Sequence, residues 1–280
     1  MLLVKTAKDL QTQLNRLKTS RSTIGFVPTM GALHEGHLSL IKKSKETTHF
    51  TVCSIFVNPT QFNDTADLDK YPRTTTRDIE LLNTVDTDIL FLPSVEEIYP
   101  QGLANEEAFD FRDLATVMEG KFRPGHFDGM AQVVKRLLAL VGPDQLFMGQ
   151  KDFQQLTIVR DMLRQMDSNI ELKMCEIVRE PDGLAMSSRN VRLTPEIRAK
   201  TPIIYQVLQE ARQRAKVTNP AAVSAWAMQT IQAQGLRPEY FELVDGISLK
   251  AINDFDFKRM MVACTAVWAG DVRLIDNILI

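Results

Sequence analysis

This 280-residue sequence contains few cysteines and tryptophans, and its positive and negative charges nearly balance. Its three cysteines stand singly in apolar surroundings, with no CxxC pair and no even-numbered framework, so buried reduced thiols are expected rather than disulfides. The 33 basic and 35 acidic residues give a formal net charge of −2 and include no basic run of the kind that nucleic-acid binders use. The expected partners are therefore small molecules.

Long apolar runs are also missing. The sequence starts with an apolar stretch of four residues before charges appear, which is too short for a signal-peptide core or a membrane span. We therefore expect a cytoplasmic protein with no membrane attachment. The composition, 44% hydrophobic and 24% charged residues, is typical of a globular protein. The length of 280 residues predicts one large domain with a smaller attachment.

Short apolar runs alternate with amphipathic segments up to about residue 178. The runs predict strands, and the segments in which apolar residues recur every three or four positions predict helices. This alternation indicates a Rossmann-like, doubly wound α/β fold with a mostly parallel sheet, whose ligands bind at the carboxyl ends of the strands. The predicted strands are 23–27, 50–57, 88–92, 145–148 and 170–178, and the predicted helices are 36–46, 74–82, 129–141 and 152–166.

The sequence changes in character near residue 178, which places a domain boundary there and predicts domains over 1–178 and 179–280. The second domain is expected to be a smaller α+β domain that follows a loop over 179–193. A further loop, over 101–107, is a candidate mobile segment. The predicted elements of the second domain are helices over 194–215 and 220–234 and strands over 241–244, 260–268 and 272–278.

The strongest local signal is the segment 27–37, VPTMGALHEGH, in which a strand breaks at the proline and a helix begins near Gly36. Its two glycines permit close approach of a ligand to the backbone. A helix amino terminus also offers unpaired N–H groups and a partial positive charge, which favour a phosphate. His34 and His37 add hydrogen-bond donors there, although a helix cap or a surface position is an alternative for each histidine taken alone.

Two other motifs can be compared with this segment. The histidines are three residues apart rather than four as in HExxH, and no third ligand completes a zinc site, so no protein metal ligand is expected. Gly31 and Gly36 have the GxxxxG spacing of a P-loop, but His37 and Leu38 stand where that motif requires Lys and Ser or Thr. What remains is HxGH, and the segment resembles the nucleotidyltransferase superfamily that includes the class I aminoacyl-tRNA synthetases.

Further motifs narrow the resemblance to the pantothenate synthetases, also called pantoate–β-alanine ligases. They occur in the family's order and cover essentially the whole chain. The matching segments are PTMG at 28–31, SIFVNP at 54–59, YPR at 71–73, EG at 119–120, RPGHF at 123–127, GQKDFQQL at 149–156, DGLAMSSRN at 182–190 and RLIDN at 273–277.

The resemblance implies a homodimeric cytoplasmic ligase of coenzyme A precursor biosynthesis. Such an enzyme activates pantoate with ATP as pantoyl adenylate and transfers the acyl group to β-alanine, with release of pyrophosphate and AMP. Mg²⁺ is expected to bind mainly through the ATP phosphates. The resemblance also implies that the domain over 1–178 binds the nucleotide and pantoate and that the domain over 179–280 acts as a lid.

Carried over residue by residue, the resemblance implies ATP contacts in four segments. Lys151 suits phosphate oxygens, and Asp152 suits a ribose hydroxyl or the orientation of that lysine, although a solvated ion pair is the alternative. Residues 187–189 resemble a shortened form of the superfamily's lysine-rich clamp over pyrophosphate, with a polar loop as the alternative. The implied ATP contacts are Met30, Gly31, Ala32, Leu33, His34, Glu35, Gly36, His37, Gly149, Gln150, Lys151, Asp152, Val178, Met186, Ser187, Ser188 and Arg189.

Catalysis is expected to rest on charge stabilisation without a covalent enzyme intermediate, mainly by His34, His37, Lys151 and Arg189.

The implied contacts to pantoate and β-alanine are mostly neutral. Gln61 and Gln155 have amides that donate and accept, and a neutral lining suits a carboxylate that must react unprotonated. Asn58 fits the same role. Arg123 is a candidate for the β-alanine carboxylate or a phosphate. Locally, a solvated amide explains Gln61 and a chain reversal explains Arg123 equally well.

Two rival functions stay open. One is a transferase that moves a nucleotidyl group onto a phosphate acceptor to make a dinucleotide cofactor. The other is a catalytically silent nucleotide-binding module, against which the intact His34, His37 and Lys151 argue.

Overall fold

The computed structural model describes residues 1–17, 22–61, 68–69, 71–102 and 109–280. Most of the loop predicted over 101–107 lies outside these ranges. The chain falls into two compact units. The first unit comprises Met1–Phe111, Phe122–Gly149 and Ile158–Cys175, and the second comprises Arg112–Lys121, Gln150–Thr157 and Glu176–Ile280.

The first unit is built on a six-stranded parallel sheet with the order β1-β4-β3-β2-β5-β6. The chain winds outward from β2 in both directions, so the topological switch point, where doubly wound folds bind ligands, lies between β2 and β5. This sheet confirms the predicted doubly wound α/β fold. Its strands are β1 (Leu2–Val4), β2 (Ile24–Thr29), β3 (Phe50–Ile55), β4 (Ile89–Phe91), β5 (Gln145–Gly149) and β6 (Glu171–Cys175).

Helices connect the strands and bury apolar stripes against the sheet. Leu38 and Ile41, for example, join one core with Val27, Cys53 and Leu90 of the central strands. No helix in the described ranges is long and apolar enough to cross a membrane. The α-helices whose bounds lie in the described ranges are α1 (Ala7–Leu17), α2 (Glu35–Thr47), α3 (Thr75–Thr84), α4 (Val95–Ile98), α5 (Met118–Phe122), α6 (His126–Val141), α7 (Phe153–Gln165), α8 (Pro195–Arg198), α9 (Ile203–Arg214) and α10 (Pro220–Ala233).

The predicted break at Pro28 is wrong, because β2 continues through it to Thr29. The N–H of Ile24 donates to Asp144, next to β5, so with a period of two the nitrogen of Pro28 faces the same side. Pairing of β2 with β5 has already ended at Phe26. The N–H that proline lacks is therefore not needed by the ladder.

The second unit contains a three-stranded antiparallel sheet with the order β7-β8-β9, which confirms the predicted smaller α+β part. Alternate residues of its central strand face two cores. Ala263 and Val267 pack with α9 and α10, whereas Val262 and Cys264 pack with Met118 and its neighbours. The strands are β7 (Arg237–Asp245), β8 (Met261–Ala269) and β9 (Val272–Leu279).

The single helix predicted over 194–215 is instead two helices, α8 and α9. Pro202 explains the interruption, because proline has no N–H for the helix ladder and disfavours helical geometry in the residue before it. The structure also adds β1 and α1, which the sequence patterns did not predict. In α1 the buried side chains are Leu10 and Leu14, whose spacing of four is itself a helical signal.

The three cysteines are buried free thiols. Burial raises the pKa of the Cys53 thiol to about 12 and that of Cys175 to about 11, and it raises the pKa of Cys264 as well. A raised pKa means that the native state holds these protons more tightly than the unfolded state, so stability should fall as the pH rises above the ordinary thiol pKa of about 8.5.

We therefore expect the native protein to resist a disulfide reagent such as Ellman's reagent at pH 8, with the three cysteines reacting only after unfolding in guanidinium. Stoichiometric labelling of the native protein would contradict the buried, neutral thiols.

Candidate active site

The conformation of the loop after β2 is held by a side chain that lies far away in the sequence. Gly31 and Ala32 both have positive φ, +80° and +49°. A Cβ on Gly31 would lie 3.0 Å from Ile55 Cγ2, so a side chain there would be crowded as well as conformationally strained. The buried carboxylate of Asp78 in α3 accepts hydrogen bonds from the N–H groups of Ala32 (3.1 Å) and Leu33 (2.8 Å). This carboxylate holds the backbone in a conformation that an alanine alone disfavours.

Asp78 was missed by the sequence analysis. It lies within the helix predicted over 74–82, four residues before the buried Leu82, and is itself 1% exposed. A charged residue on the buried stripe of an amphipathic helix is an unusual placement, and that was the available signal. One of its partners, the Thr74 hydroxyl, is local, but the two loop N–H groups that it binds lie 45 and 46 residues away in the chain, beyond the reach of local patterns.

The two histidines cap α2 reciprocally. His34 is the N-cap residue, and its Nδ1 accepts from the N–H of Gly36 at 3.1 Å. The Nδ1 atom of His37 accepts from the N–H of His34 at 3.3 Å. Because an accepting ring nitrogen carries no proton, the neutral tautomer of each histidine has its hydrogen on Nε2. Both side chains thus become Nε2–H donors.

The two histidines can therefore cap the helix and bind a ligand at the same time, although the sequence analysis treated these roles as alternatives. The expected unpaired N–H groups are not found at Gly36 and His37, because these donate to the His34 ring and to the His34 carbonyl. The partial positive charge of the helix start remains.

The turn after β3 is anchored by a buried amide. Asn58 is fully buried, and its Nδ2 donates to the carbonyl of Gly129 at 3.1 Å. Its Oδ1 accepts from the hydroxyl of Tyr99 at 2.9 Å and from that of Thr60 at 3.1 Å. These bonds give the Asn58 amide a positioning role in the turn. They use one of its two Nδ2 hydrogens, and its contact with a substrate stays a prediction.

Gln61 ends the short 3₁₀ helix Pro59–Gln61. It is mostly buried, and its side-chain amide has no hydrogen-bond partner in the part of the chain that the structure describes. Its backbone carbonyl lies 2.8 Å from Nδ1 of His126, while Nε2 of the same ring lies 3.3 Å from Nη1 of Arg123. The structure thus brings together two of the predicted substrate contacts, Gln61 and Arg123, through a histidine to which the sequence analysis gave no role.

Gly149 is the last residue of β5, at the carboxyl edge of the switch point. Its φ is not in the left-handed region, and a Cβ built on it would meet nothing within 4 Å. Neither strain nor packing therefore requires a glycine here. Open space beside a backbone at this edge of the sheet suits the close approach of a ligand.

In the second unit, the short 3₁₀ helix Gln150–Asp152 is tied to β9 by Asn277. The Asn277 Nδ2 donates to the carbonyls of Gln150 and Lys151, both at 2.9 Å, and its Oδ1 accepts from the Gln150 side chain at 3.0 Å. The Gln150 side chain is therefore held by the protein. Lys151 is 20% exposed and lies 3.7 Å from the half-exposed Asp152, so a fully solvated ion pair does not describe this lysine.

The two glutamines that follow have different environments. Gln154 is buried and accepts from the N–H of Glu119 at 2.9 Å, while its Nε2 donates to two backbone carbonyls. Gln155 is only partly buried, and its side-chain amide makes no hydrogen bond in the described ranges. Of the two, Gln155 is the one whose amide is available for a ligand, as its predicted role requires.

The predicted contacts at 178 and 186–189 belong to one closed loop. The N–H of Met186 donates to the carbonyl of Val178 at 3.0 Å, and Arg179 makes a two-pronged ion pair of 2.7 and 3.0 Å with the buried Asp276. Ser187 accepts from the N–H of Arg189 at 3.2 Å, whereas Ser188 is partly exposed. No group of three or more His, Cys, Asp or Glu side chains in the described ranges could hold a metal ion.

A doubly wound sheet with a histidine-capped helix start after one of its central strands is the arrangement expected of a nucleotide-binding enzyme. The family model described as pantoate–beta-alanine ligase matches residues 2–279. The chain therefore belongs to the pantoate–beta-alanine ligase family, which confirms the predicted resemblance, and it is a ligase.

Individual relatives are similar to this chain over almost their full lengths. A pantothenate synthetase of Bacteroides thetaiotaomicron is 48% identical over 279 residues, which cover 99% of this chain and 98% of the relative. The crystal structure of pantothenate synthetase from Thermus thermophilus has a TM-score of 0.91, 38% identity and 99% coverage of both chains. The pantoate–beta-alanine ligase of Francisella tularensis, solved in complex with beta-gamma ATP and beta-alanine, has a TM-score of 0.83 and 36% identity, with coverage of 100% and 97%.

Proposed function

We propose that this chain condenses pantoate with β-alanine in an ATP-dependent reaction that proceeds through pantoyl adenylate. The observation that carries the proposal is the reciprocal cap of α2, in which His34 and His37 both become Nε2–H donors at a positively polarised helix start. Support also comes from the relative of Francisella tularensis, whose structure holds beta-gamma ATP and beta-alanine.

In the first step a carboxylate oxygen of pantoate attacks the α-phosphorus of ATP, and the bond from that phosphorus to pyrophosphate breaks. In the second step the β-alanine amine attacks the acyl carbon, AMP leaves with the carboxylate oxygen, and the nitrogen loses its proton. The first step concentrates negative charge on the α- and β-phosphates. Fixed donors that meet this charge lower the barrier, because they need no reorganisation during the reaction.

We assign those donors to His34, His37, Lys151 and Arg189. The neutral histidines donate through Nε2, and Lys151 supplies a largely desolvated point charge. Ser187 and Ser188 act with Arg189 on the leaving pyrophosphate. The remaining predicted contacts to ATP involve the backbone of 30–37, Gly149 to Asp152, Val178 and Met186.

The acyl acceptor and donor are held by Gln61, Gln155 and Arg123 in this proposal. The side-chain amides of Gln61 and Gln155 make no hydrogen bond in the described ranges, and they are neutral, so they can bind the hydroxyls and carboxylate of pantoate without protonating it. Arg123 binds the carboxylate of β-alanine. ATP enters as its magnesium complex, with the ion held mainly by the phosphates.

We further propose the domain roles given by the resemblance, with nucleotide and pantoate binding over 1–178 and a lid over 179–280. A cytoplasmic location accords with the three buried free thiols. The homodimer is retained as a family expectation.

Pantoate-dependent exchange of labelled pyrophosphate into ATP tests the proposal directly. We expect exchange that requires pantoate and occurs without β-alanine, since adenylate formation is reversible on its own. Omission of pantoate is the control. Absence of exchange under all conditions would contradict the proposal and leave the silent nucleotide-binding module as the better interpretation.

Hydroxylamine distinguishes the remaining rival. With ATP and pantoate, an acyl adenylate gives a hydroxamate, whereas an enzyme that builds a dinucleotide cofactor gives none.

A further inference from the structure

The His126 ring lies between two groups with opposite hydrogen-bonding requirements. It is 8% exposed, with Nδ1 2.8 Å from the Gln61 carbonyl and Nε2 3.3 Å from Nη1 of Arg123. A carbonyl can only accept, so Nδ1 must carry the hydrogen. A guanidinium can only donate, so Nε2 must be the acceptor. The neutral ring protonated on Nδ1 meets both requirements at once.

The turn after β3, whose last residue Gln61 is bound by His126, is fixed at its start by other contacts. A Cβ on Gly129 would overlap with the carbonyl oxygen of Thr60, so the turn packs directly on the backbone of α6. Asn58 fastens the same place through the Gly129 carbonyl. His126 adds the attachment at the end of the turn, on the residue that carries the predicted substrate amide.

We propose that His126 is a positioning residue that sets the Gln61 amide and the Arg123 guanidinium in one fixed geometry. The proposal rests on the proposed function, because Gln61 and Arg123 are there the contacts to pantoate and β-alanine. His126 itself need not touch a substrate. Its effect is to couple the two contacts, so that moving one disturbs the other.

A purely structural role is the alternative, since His126 begins α6 and its ring packs edge-on against Phe127. The two ring nitrogens allow the roles to be separated. Asparagine places an amide donor near the position of Nδ1, and glutamine places an amide acceptor near that of Nε2. His126→Asn therefore keeps the hold on Gln61 and loses that on Arg123, whereas His126→Gln does the reverse.

We expect His126→Asn to raise the KM for β-alanine about tenfold, as for a lost hydrogen bond to a charged group, with the KM for pantoate within about twofold of wild type. His126→Gln should raise the KM for both pantoate and β-alanine, since Gln61 is proposed to contact both. The KM for ATP should stay within about twofold in each variant. The control is His49→Asn, at an exposed histidine of the first unit that binds only Thr23 in the described ranges, and it should leave all three constants unchanged.

A double-mutant cycle tests the coupling itself. In an Arg123→Ala background, His126→Asn should cause no further rise in the KM for β-alanine, because the contact it removes is already gone. Full additivity would overturn the proposal, as would equal changes in all three KM values or wild-type constants in both variants.

Thermal unfolding of every variant identifies a general loss of structure, and parallel loss of melting temperature and of all activities would assign His126 to the fold alone. Lack of pantoate-dependent exchange in the wild-type protein would instead contradict the proposed function.

Discussion

Replacing His37 with alanine should slow pantoyl adenylate formation about 10²–10³-fold, because it removes the preorganised donor that we propose for the charge that develops on the phosphates. The same substitution removes the Nδ1 acceptor for the His34 N–H and so weakens the cap of α2 by about 1 kcal/mol. Pantoate-dependent pyrophosphate exchange measures the first effect, and chemical unfolding measures the second.

His37→Asn is the matched control, because its side-chain oxygen can still accept from the His34 N–H but its amide does not reach the position of Nε2. If the donor matters, Asn should be almost as slow as Ala in exchange while recovering most of the stability. Preformed pantoyl adenylate should be converted by both variants at rates close to wild type. Equal impairment of that second step would remove His37 from its specific role in adenylation.

Replacing Asp78 with asparagine should lower kcat for adenylate formation about 10²-fold, although Asp78 is not proposed to touch any substrate. Both oxygens of the buried carboxylate accept a hydrogen bond from a backbone N–H group, whereas an amide of the same shape has only one acceptor oxygen. The Gly31–Ala32 backbone is then released from its positive-φ conformation. A displacement of about 1 Å at a reacting group costs a factor of this size.

The free energy of unfolding should fall in the same variant by about 1–3 kcal/mol, the cost of a buried N–H left without an acceptor. Asp86→Asn is the control, since Asp86 is exposed and its positive φ suits asparagine equally well. A variant at position 78 that loses stability but keeps its kcat would show that the loop keeps its shape without the carboxylate.

The parallel sheet could be predicted because its central strands are continuous apolar runs separated by amphipathic helices. Strand β3, with Thr51 to Ile55 all buried, is an example. Prediction failed where tertiary context overrode a local rule. Pro28 looks like a strand breaker, but its missing N–H faces a side where pairing has ended, and only the three-dimensional register reveals that.

Some parts of the candidate site could likewise be predicted from the sequence and others could not. The loop 27–37 could be singled out from its residues, because glycines and histidines at a strand-to-helix junction have a direct use in phosphate binding. The residues that hold this loop and the Gln61 turn could not. Asp78 and His126 act across 45 and 65 residues of chain, so even the unusual place of Asp78 on a buried helix stripe does not reveal what it binds. In the sequence His126 looks like a residue of a Pro-Gly turn, and only the contacts of its two ring nitrogens indicate its role.

The bond between Asn277 and the Lys151 turn has a consequence for the order in which a newly made chain becomes competent. The hydrogen bonds described above for the histidine loop join residues within 32–78, so this loop can form from an early part of the chain. The turn that carries Lys151 waits for a residue 126 positions further on. During synthesis the backbone of this turn therefore gains its hydrogen bonds from Asn277 only after β9 has been made, whereas those of the histidine loop can form much earlier.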